Sequence, residues 1–234
     1  PEDPTGEAIW MQALADKTGR PAAHVAQAWL DQDDLDEVLA CYAMLPIVRS
    51  VRHKPWASTQ PDGKPSGMRD PAFMQGFAKL ADAGLHFDLQ TPWWHLDDVP
   101  YLVEQSPSTT VILNHAGLPA DRSKEGLSAW HSAVSQFAAI PNTLVKISGL
   151  GLKHKPWRIE DNVEIIRLLI DTFSPDRAMF ASNFPVDGLC GSFDTIYAGY
   201  DAATLDYSDA ERAALFYGNA ARTYGLEVGC DDDG

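Results

Sequence analysis

The chain has 234 residues, 45% of them hydrophobic and 22% charged, which fits one globular domain of barrel size over residues 1–234. Its formal net charge of −15 disfavours nucleic acid and anionic membranes as partners. It does not exclude an anionic small-molecule substrate, because a site can be locally basic. No apolar run reaches the ~20 residues that span a bilayer, and three widely spaced cysteines (Cys41, Cys190 and Cys230) indicate a reducing, cytoplasmic location without a disulfide framework.

Six apolar segments with strand character alternate with helical segments along the chain. A helix precedes Gly19, and the predicted strands cover residues 22–30, 47–52, 85–90, 109–115, 143–148 and 178–183. The predicted helices cover residues 35–43, 71–83, 97–105, 124–138, 161–173 and 208–217. This alternation predicts a parallel sheet with right-handed crossovers. The long irregular segment 55–70, rich in Pro, Gly and Ser, predicts a lid over the carboxyl ends of the strands.

Polar residues end most of these strands, among them Gln90, His115, Ser148 and Asn183. His115 follows Val111 and Leu113 at a period of two, so we expect it to end the strand and to point the same way as they do. Polar ends on most strands, rather than on two strands at a switch point, favour a (β/α)8 TIM barrel over an open doubly wound sheet.

Eight strand–helix units close such a barrel, so six strands leave it without its first strand–helix unit and its second strand. The two strands at the gap, 22–30 and 178–183, would then have unpaired edges. Because unpaired edges favour pairing with another chain, we do not expect a stable open monomer. Either residues upstream of Pro1 or a partner chain, such as a second copy in a homo-oligomer, are expected to fill the gap.

Several further residues are candidates for substrate binding. The planar guanidinium of Arg52 suits a carboxylate or a lactone carbonyl oxygen, although a surface ion pair is the alternative. Two adjacent tryptophans suit stacking on a sugar ring, although loop packing is the alternative. The predicted substrate-binding residues are Arg52, His53, Gln90, Trp93, Trp94, Lys146 and Ser148.

Five motifs resemble those of the amidohydrolase-2 family: F-D-L-Q at 87–90, N-H-A-G at 114–117, V-K-I-S-G at 145–149, M-F-A-S-N-F-P-V at 179–186 and G-N-A-A-R at 218–222. This family of metal-dependent-hydrolase-type TIM barrels includes sugar-lactone and pyrone-dicarboxylate lactonases. The resemblance implies a hydrolase that attacks a small cyclic ester, a sugar-derived or dicarboxylate lactone, with activated water. The alternatives are a metal-dependent decarboxylase on the same scaffold and a ligand-binding relative that has lost its general base.

The chain departs from the family pattern at two places. The H-x-H motif of the family's first strand is absent, so the resemblance implies His115 as a metal ligand only where an upstream H-x-H is present. The expected cofactor is accordingly one divalent metal, zinc or manganese, or none. The second departure is Asn183, where the family commonly has the aspartate that acts as general base; Asp187 lies four residues on and could supply the carboxylate. The predicted catalytic residues are therefore His115, Asn183 and Asp187.

Overall fold

A single sheet of six parallel strands organises the computed structural model, which describes residues 3–227. The strands are β1 (His24–Gln27), β2 (Val48–His53), β3 (His86–Leu89), β4 (Val111–Leu113), β5 (Thr143–Ile147) and β6 (Ala178–Phe180). They pair in strictly sequential order, each parallel to its neighbour, with β1 and β6 at the edges of the described sheet. Sequential order without reversal is the winding of a TIM barrel, since a doubly wound sheet reverses its strand order. The predicted fold class is confirmed.

Nine α-helices accompany these strands in the described residues. They are α1 (Pro4–Thr18), α2 (Leu35–Ala43), α3 (Pro71–Ala78), α4 (Val99–Gln105), α5 (Lys124–Ala138), α6 (Val163–Phe173), α7 (Phe193–Ala203), α8 (Asp209–Ala213) and α9 (Asn219–Tyr224). Among residues 3–227, none of the helices has both the length and the apolar character needed to cross a bilayer.

The helix boundaries follow local capping chemistry. Helix α5 covers the predicted residues 124–138 because the Ser123 hydroxyl accepts the N–H of Gly126, at 3.0 Å, and caps its first turn. Helix α3 ends at Ala78 instead of the predicted residue 83, because its last turns tighten to three-residue hydrogen bonds before Gly84. Helix α7 was not predicted, and Cys230 lies outside the described residues.

The two faces of the sheet pack against different partners. On the outer face, Val145 and Ile147 join the main hydrophobic core under the helices. On the inner face, Ile112 and Met179 form a smaller cluster with Tyr224 at the end of α9. The Asn219 side chain at the start of α9 donates hydrogen bonds to the carbonyls of Pro175 and Ala178, both at 2.6 Å. These bonds hold α9 beside the amino end of β6 and bring Tyr224 onto the inner face.

Candidate functional site

Four consecutive residues in left-handed backbone conformation follow strand β4. The φ angles of His115, Ala116, Gly117 and Leu118 are 54°, 55°, 68° and 59°. For residues other than glycine this conformation costs roughly 1–2 kcal/mol each, and such strain clusters at active sites and ligand clamps. Residues 115–118 therefore form a strained turn at the carboxyl end of the sheet.

This turn corrects the predicted direction of His115. Val111 and Leu113 face the outer core, and His115 was expected to end the strand and to point with them. Strand β4 instead ends at Leu113, and the left-handed turn breaks the period-two alternation. His115 therefore contacts Ser148. Ser148 lies two residues after Lys146 of β5 and faces inward as Lys146 does.

His115 is held by one hydrogen bond and one close backbone contact. Its Nδ1 lies 3.0 Å from the Oγ of the fully buried Ser148. Gly149 follows with φ of 65°, and a methyl group there would lie 2.8 Å from the Cβ of His115. No side chain larger than hydrogen fits at residue 149 without moving the imidazole.

The electrostatic surroundings keep His115 neutral. Burial lowers the pKa of His115 to about 4, and the positive charges of Arg52, Lys146 and Lys54 add to the effect. Asp88 acts in the opposite direction but does not offset it. A neutral imidazole at physiological pH can donate or accept a hydrogen bond without carrying charge.

The other two predicted catalytic residues are hydrogen-bonded to each other. The Asn183 amide donates to Asp187 Oδ1 at 2.8 Å, and the Asp187 N–H donates to the Asn183 carbonyl at 3.1 Å. Asn183 itself has a left-handed φ of 54°, which asparagine tolerates better than most residues. The Asp187 carboxyl group therefore lies beside the Asn183 amide. That Asp187 supplies the missing base stays a prediction.

The Asp187 carboxyl group is buried, and its surroundings change its pKa. It is 5% exposed, and its Oδ2 is buried without a hydrogen-bond partner among the described residues. Burial raises the pKa of Asp187, and the Asn183 amide and the backbone N–H groups of Gly151 and Gly149 oppose this rise. Gly149 therefore touches His115 on one side and interacts with Asp187 on the other.

A buried ion pair lies on the inner face of the sheet, deeper than Ser148. The Lys146 ammonium binds Asp88, whose Oδ2 also accepts the Tyr224 hydroxyl at 3.0 Å. The Lys146 Nζ lies 4.9 Å from the centre of the Tyr224 ring. Lys146 thus points inward, and its charge is compensated by Asp88. The sequence prediction missed Asp88 and Tyr224, although an inward-facing lysine on one strand requires a buried partner on another.

Strand β2 sends its two candidate residues to opposite faces. Arg52 pairs with Asp88 in the parallel register and so shares the inner face of the sheet. His53 lies on the outer face, where its Nδ1 accepts the N–H of Leu30 at 3.1 Å and its ring packs 4.9 Å from Phe73. The structure therefore brings Arg52, but not His53, to the side of the sheet that holds Ser148.

Gln90 and the two tryptophans follow strand β3. Gln90 comes directly after the strand, is half-buried, and makes no side-chain hydrogen bond within residues 3–227. Trp93 and Trp94 lie in the 3-10 segment Trp93–Asp98 with their rings 5.5 Å apart and nearly perpendicular. The Trp94 indole donates to Ser58 Oγ at 3.1 Å, so Trp94 is partly used in packing the loop.

The loop 55–70 begins beyond the carboxyl end of β2, as predicted. The Ser58 N–H donates to Nε2 of the buried His95 at 3.0 Å, and the Ser66 N–H donates to Oδ2 of the buried Asp98 at 2.7 Å. These two anchors fix the loop against the segment Trp93–Asp98. Its opening and closing as a lid stays a prediction.

A metal site needs several ligating side chains close together. Between residues 3 and 227, no group of three His, Cys, Asp or Glu side chains could hold a metal ion. A catalytic zinc usually has three protein ligands, and within the described part of the chain His115 belongs to no group of that size. Residues 3–227 therefore do not form a metal site by themselves.

Comparison with known proteins identifies relatives over almost the whole chain. Protein y4mH of Sinorhizobium fredii is 37% identical over 96% of this chain and 76% of its own length. An L-fucono-1,5-lactonase of Burkholderia multivorans is 32% identical over 69% of this chain and 58% of its own length. Two crystal structures of an amidohydrolase from Burkholderia multivorans, one with bound HEPES and one with bound zinc, are similar to this structure. Each has a TM-score of 0.81 and 29% identity over 95% of this chain and 80% of that chain.

The family assignment rests on the sequence as well as on the fold. The model of the family described as Amidohydrolase matches residues 2–226. That range includes all five motifs from which the resemblance was drawn. The chain therefore belongs to the amidohydrolase family.

Proposed function

We propose that this protein is a lactonase that opens a small sugar-derived lactone by attack of water on the carbonyl carbon. The observation that carries the proposal is the chain of contacts Ser148–His115–Gly149–Asp187–Asn183 at the carboxyl end of the sheet. It combines a neutral imidazole with a buried, incompletely paired carboxyl group. The similarity to an L-fucono-1,5-lactonase supports the same class of substrate.

His115 acts as the group that polarises the carbonyl. Its pKa of about 4 keeps the ring neutral at pH 7. His115 Nδ1 lies 3.0 Å from Ser148 Oγ. In the tautomer that the proposal requires, the Ser148 hydroxyl donates to Nδ1, and Nε2 carries the proton that is offered to the lactone carbonyl oxygen. A hydrogen bond to this oxygen grows stronger as negative charge develops on it in the transition state.

Asp187 handles the proton of the attacking water. Its Oδ2 has no partner within the described residues, so a water molecule can fill that need. The ionised carboxyl group accepts a proton as the water oxygen bonds to the carbonyl carbon. The Asn183 amide cannot take up this proton, and its role is to hold Asp187 through Oδ1. The bond between the carbonyl carbon and the ring oxygen then breaks, and Asp187 returns its proton to the departing ring oxygen. The product is a hydroxy acid, and the Asp187 carboxyl group is ionised again.

Positive charge near His115 supports the same reaction. Arg52 and Lys54 both act electrostatically on His115, and neither forms an ion pair within residues 3–227. The charges of Arg52 and Lys54 are therefore not neutralised by an ion pair among the described residues. They favour the anionic tetrahedral intermediate and the carboxylate product.

The test is proton release in weakly buffered solution from L-fucono-1,5-lactone and other small sugar lactones, corrected for spontaneous hydrolysis. Each protein is assayed as purified and with added zinc. We expect the rate of His115→Asn to be about 10²–10³-fold lower than that of the wild type, as for removal of an oxyanion-hole donor. His131→Asn is the matched control, because His131 lies on α5 and is not among the residues that contact His115 or Asp187. Equal rates in wild type and His115→Asn, or no turnover of any lactone, would contradict the proposal.

Asn183 supports one alternative, a ligand-binding relative without catalysis. Its amide stands where the family commonly has a carboxylate, so the reaction depends on Asp187. Asn183→Asp separates the two functions. If the wild type hydrolyses no lactone and Asn183→Asp does, the protein has lost its general base. If the wild type already hydrolyses a lactone, the base is present.

A further inference from the structure

A groove of about 420 Å³ opens between the segment Trp93–Asp98, the loop 55–70 and helix α5. Trp93 and Trp94 line one wall, and Pro61 and Gly63 of the loop border it. None of the residues that line it belongs to the contacts around His115 and Asp187. A volume of this size lies within the range of small-molecule sites in proteins, roughly 300–1,000 Å³.

The aromatic wall is rigid and its surface is accessible. The Trp94 indole is fixed by its hydrogen bond to Ser58 at 3.1 Å, and the Trp93 ring stands at 85° to it. Both side chains are only half-buried. The Trp93 indole nitrogen makes no hydrogen bond within residues 3–227 and is not among the buried unpaired atoms, so it is free to donate to a ligand.

The opposite wall is built from one face of helix α5. Ala129, Ser132, Ala133 and Gln136 follow the spacing i, i+3, i+4, i+7, which places them together along the groove. The two alanines leave space opposite the indoles. Ser132 and Gln136 supply hydroxyl and amide groups that can donate or accept hydrogen bonds.

These walls select the chemistry of the ligand. Perpendicular indoles form a corner that fits the apolar C–H face of a pyranose ring and would not enclose a flat aromatic ring on both sides. The polar groups on α5 suit the hydroxyls at the edge of such a ring. The exposed carboxylate of Asp97 at the groove disfavours an anionic ligand. A neutral sugar satisfies all three features.

We propose that this groove is a binding site for a neutral saccharide, separate from the site around His115. It does not depend on the lactonase proposal, because the two sites share no lining residue. The loop 55–70 forms part of both the carboxyl-end surface and the groove, and its anchors at His95 and Asp98 hold the groove open in the described conformation.

The test uses saturation-transfer NMR with the methyl glycosides of glucose, galactose, mannose and fucose. The methyl glycoside of glucuronic acid (methyl glucuronide) is the anionic comparator. We expect saturable binding of at least one neutral glycoside in the millimolar range. Ala133→Met fills the groove from the α5 wall and should weaken that binding at least tenfold. Ser128→Met is the matched control, because Ser128 is exposed on the same helix and does not line the groove.

Gln136→Ala provides a second variant on the exposed surface of α5, so the test does not depend on the folding of Ala133→Met. It should weaken the same glycoside severalfold through the lost amide contact. Absence of saturable binding in the wild type would overturn the proposal. So would equal binding in all three variants, or tighter binding of the glucuronide than of the neutral glycosides.

Discussion

Acidification should destabilise this protein through His115 at a pH well above the titration of most carboxyl groups. Burial first, and then the charges of Arg52, Lys146 and Lys54, lower the pKa of His115 from 6.5 to about 4. In the unfolded chain the imidazole regains its ordinary pKa. Below pH 6.5 the imidazole therefore binds a proton in the unfolded state but not in the folded state, and the free energy of unfolding decreases as the pH falls.

The size of the effect follows from the two pKa values. The contribution of His115 is fully retained above pH 6.5 and is lost progressively down to about pH 4. Since each pH unit between the two values is worth ~1.4 kcal/mol, the loss approaches ~3 kcal/mol at the lower end. That is a large fraction of the free energy of unfolding of a native domain, which is roughly 5–15 kcal/mol.

The assay is urea unfolding at pH 7 and at pH 4.5 for the wild type and for His115→Asn. Asparagine tolerates the left-handed φ of 54° and retains a polar atom near Ser148, so the substitution removes mainly the titration. Burial also lowers the pKa values of His24 and His53, and the difference between the two proteins isolates His115. We expect the wild type to lose ~2 kcal/mol more than the variant between the two pH values. An identical pH dependence would refute the reasoning.

Two substitutions test the packing of the site by urea unfolding. Gly149→Ala should lower the free energy of unfolding by at least ~1 kcal/mol more than Gly84→Ala does. Both positions have positive φ (65° and 67°), but only Gly149 contacts His115. Equal losses would show that the contact is not tight. Asp88→Asn should destabilise the fold by roughly 3–5 kcal/mol because it leaves the Lys146 charge buried without compensation. Adding Lys146→Met should recover much of this loss, whereas additive losses would show that the two residues are not coupled.

The sequence predicts the architecture well because strand and helix periodicity follow directly from burial. Six apolar segments in alternation with helices became six parallel strands in sequential order. Helix α5 has the predicted bounds because Ser123 is a strong capping residue. Helix α3 was predicted five residues too long, since hydrophobic pattern alone does not distinguish a helix from the tighter turns that follow it.

The direction of individual side chains could not be predicted in the same way. Alternation assigns His115 to the outer face, but the four consecutive left-handed residues 115–118 reverse that assignment. Only the glycine among them signals positive φ in the sequence. Likewise, His53 and Arg52 are adjacent in sequence, and only the register with β3 shows that Arg52 shares the inner face with Asp88.

The most direct test of the central claim is the initial rate of L-fucono-1,5-lactone hydrolysis by Asp187→Asn compared with the wild type. Asp171→Asn, an exposed carboxylate on α6, is the control for an unrelated loss of charge. The lactonase account predicts a rate lower by about 10²–10⁴ in Asp187→Asn, since a positioned base contributes that much, and an unchanged rate in the control. A wild-type rate in Asp187→Asn would contradict the account, because no proton acceptor would then be needed beside Asn183.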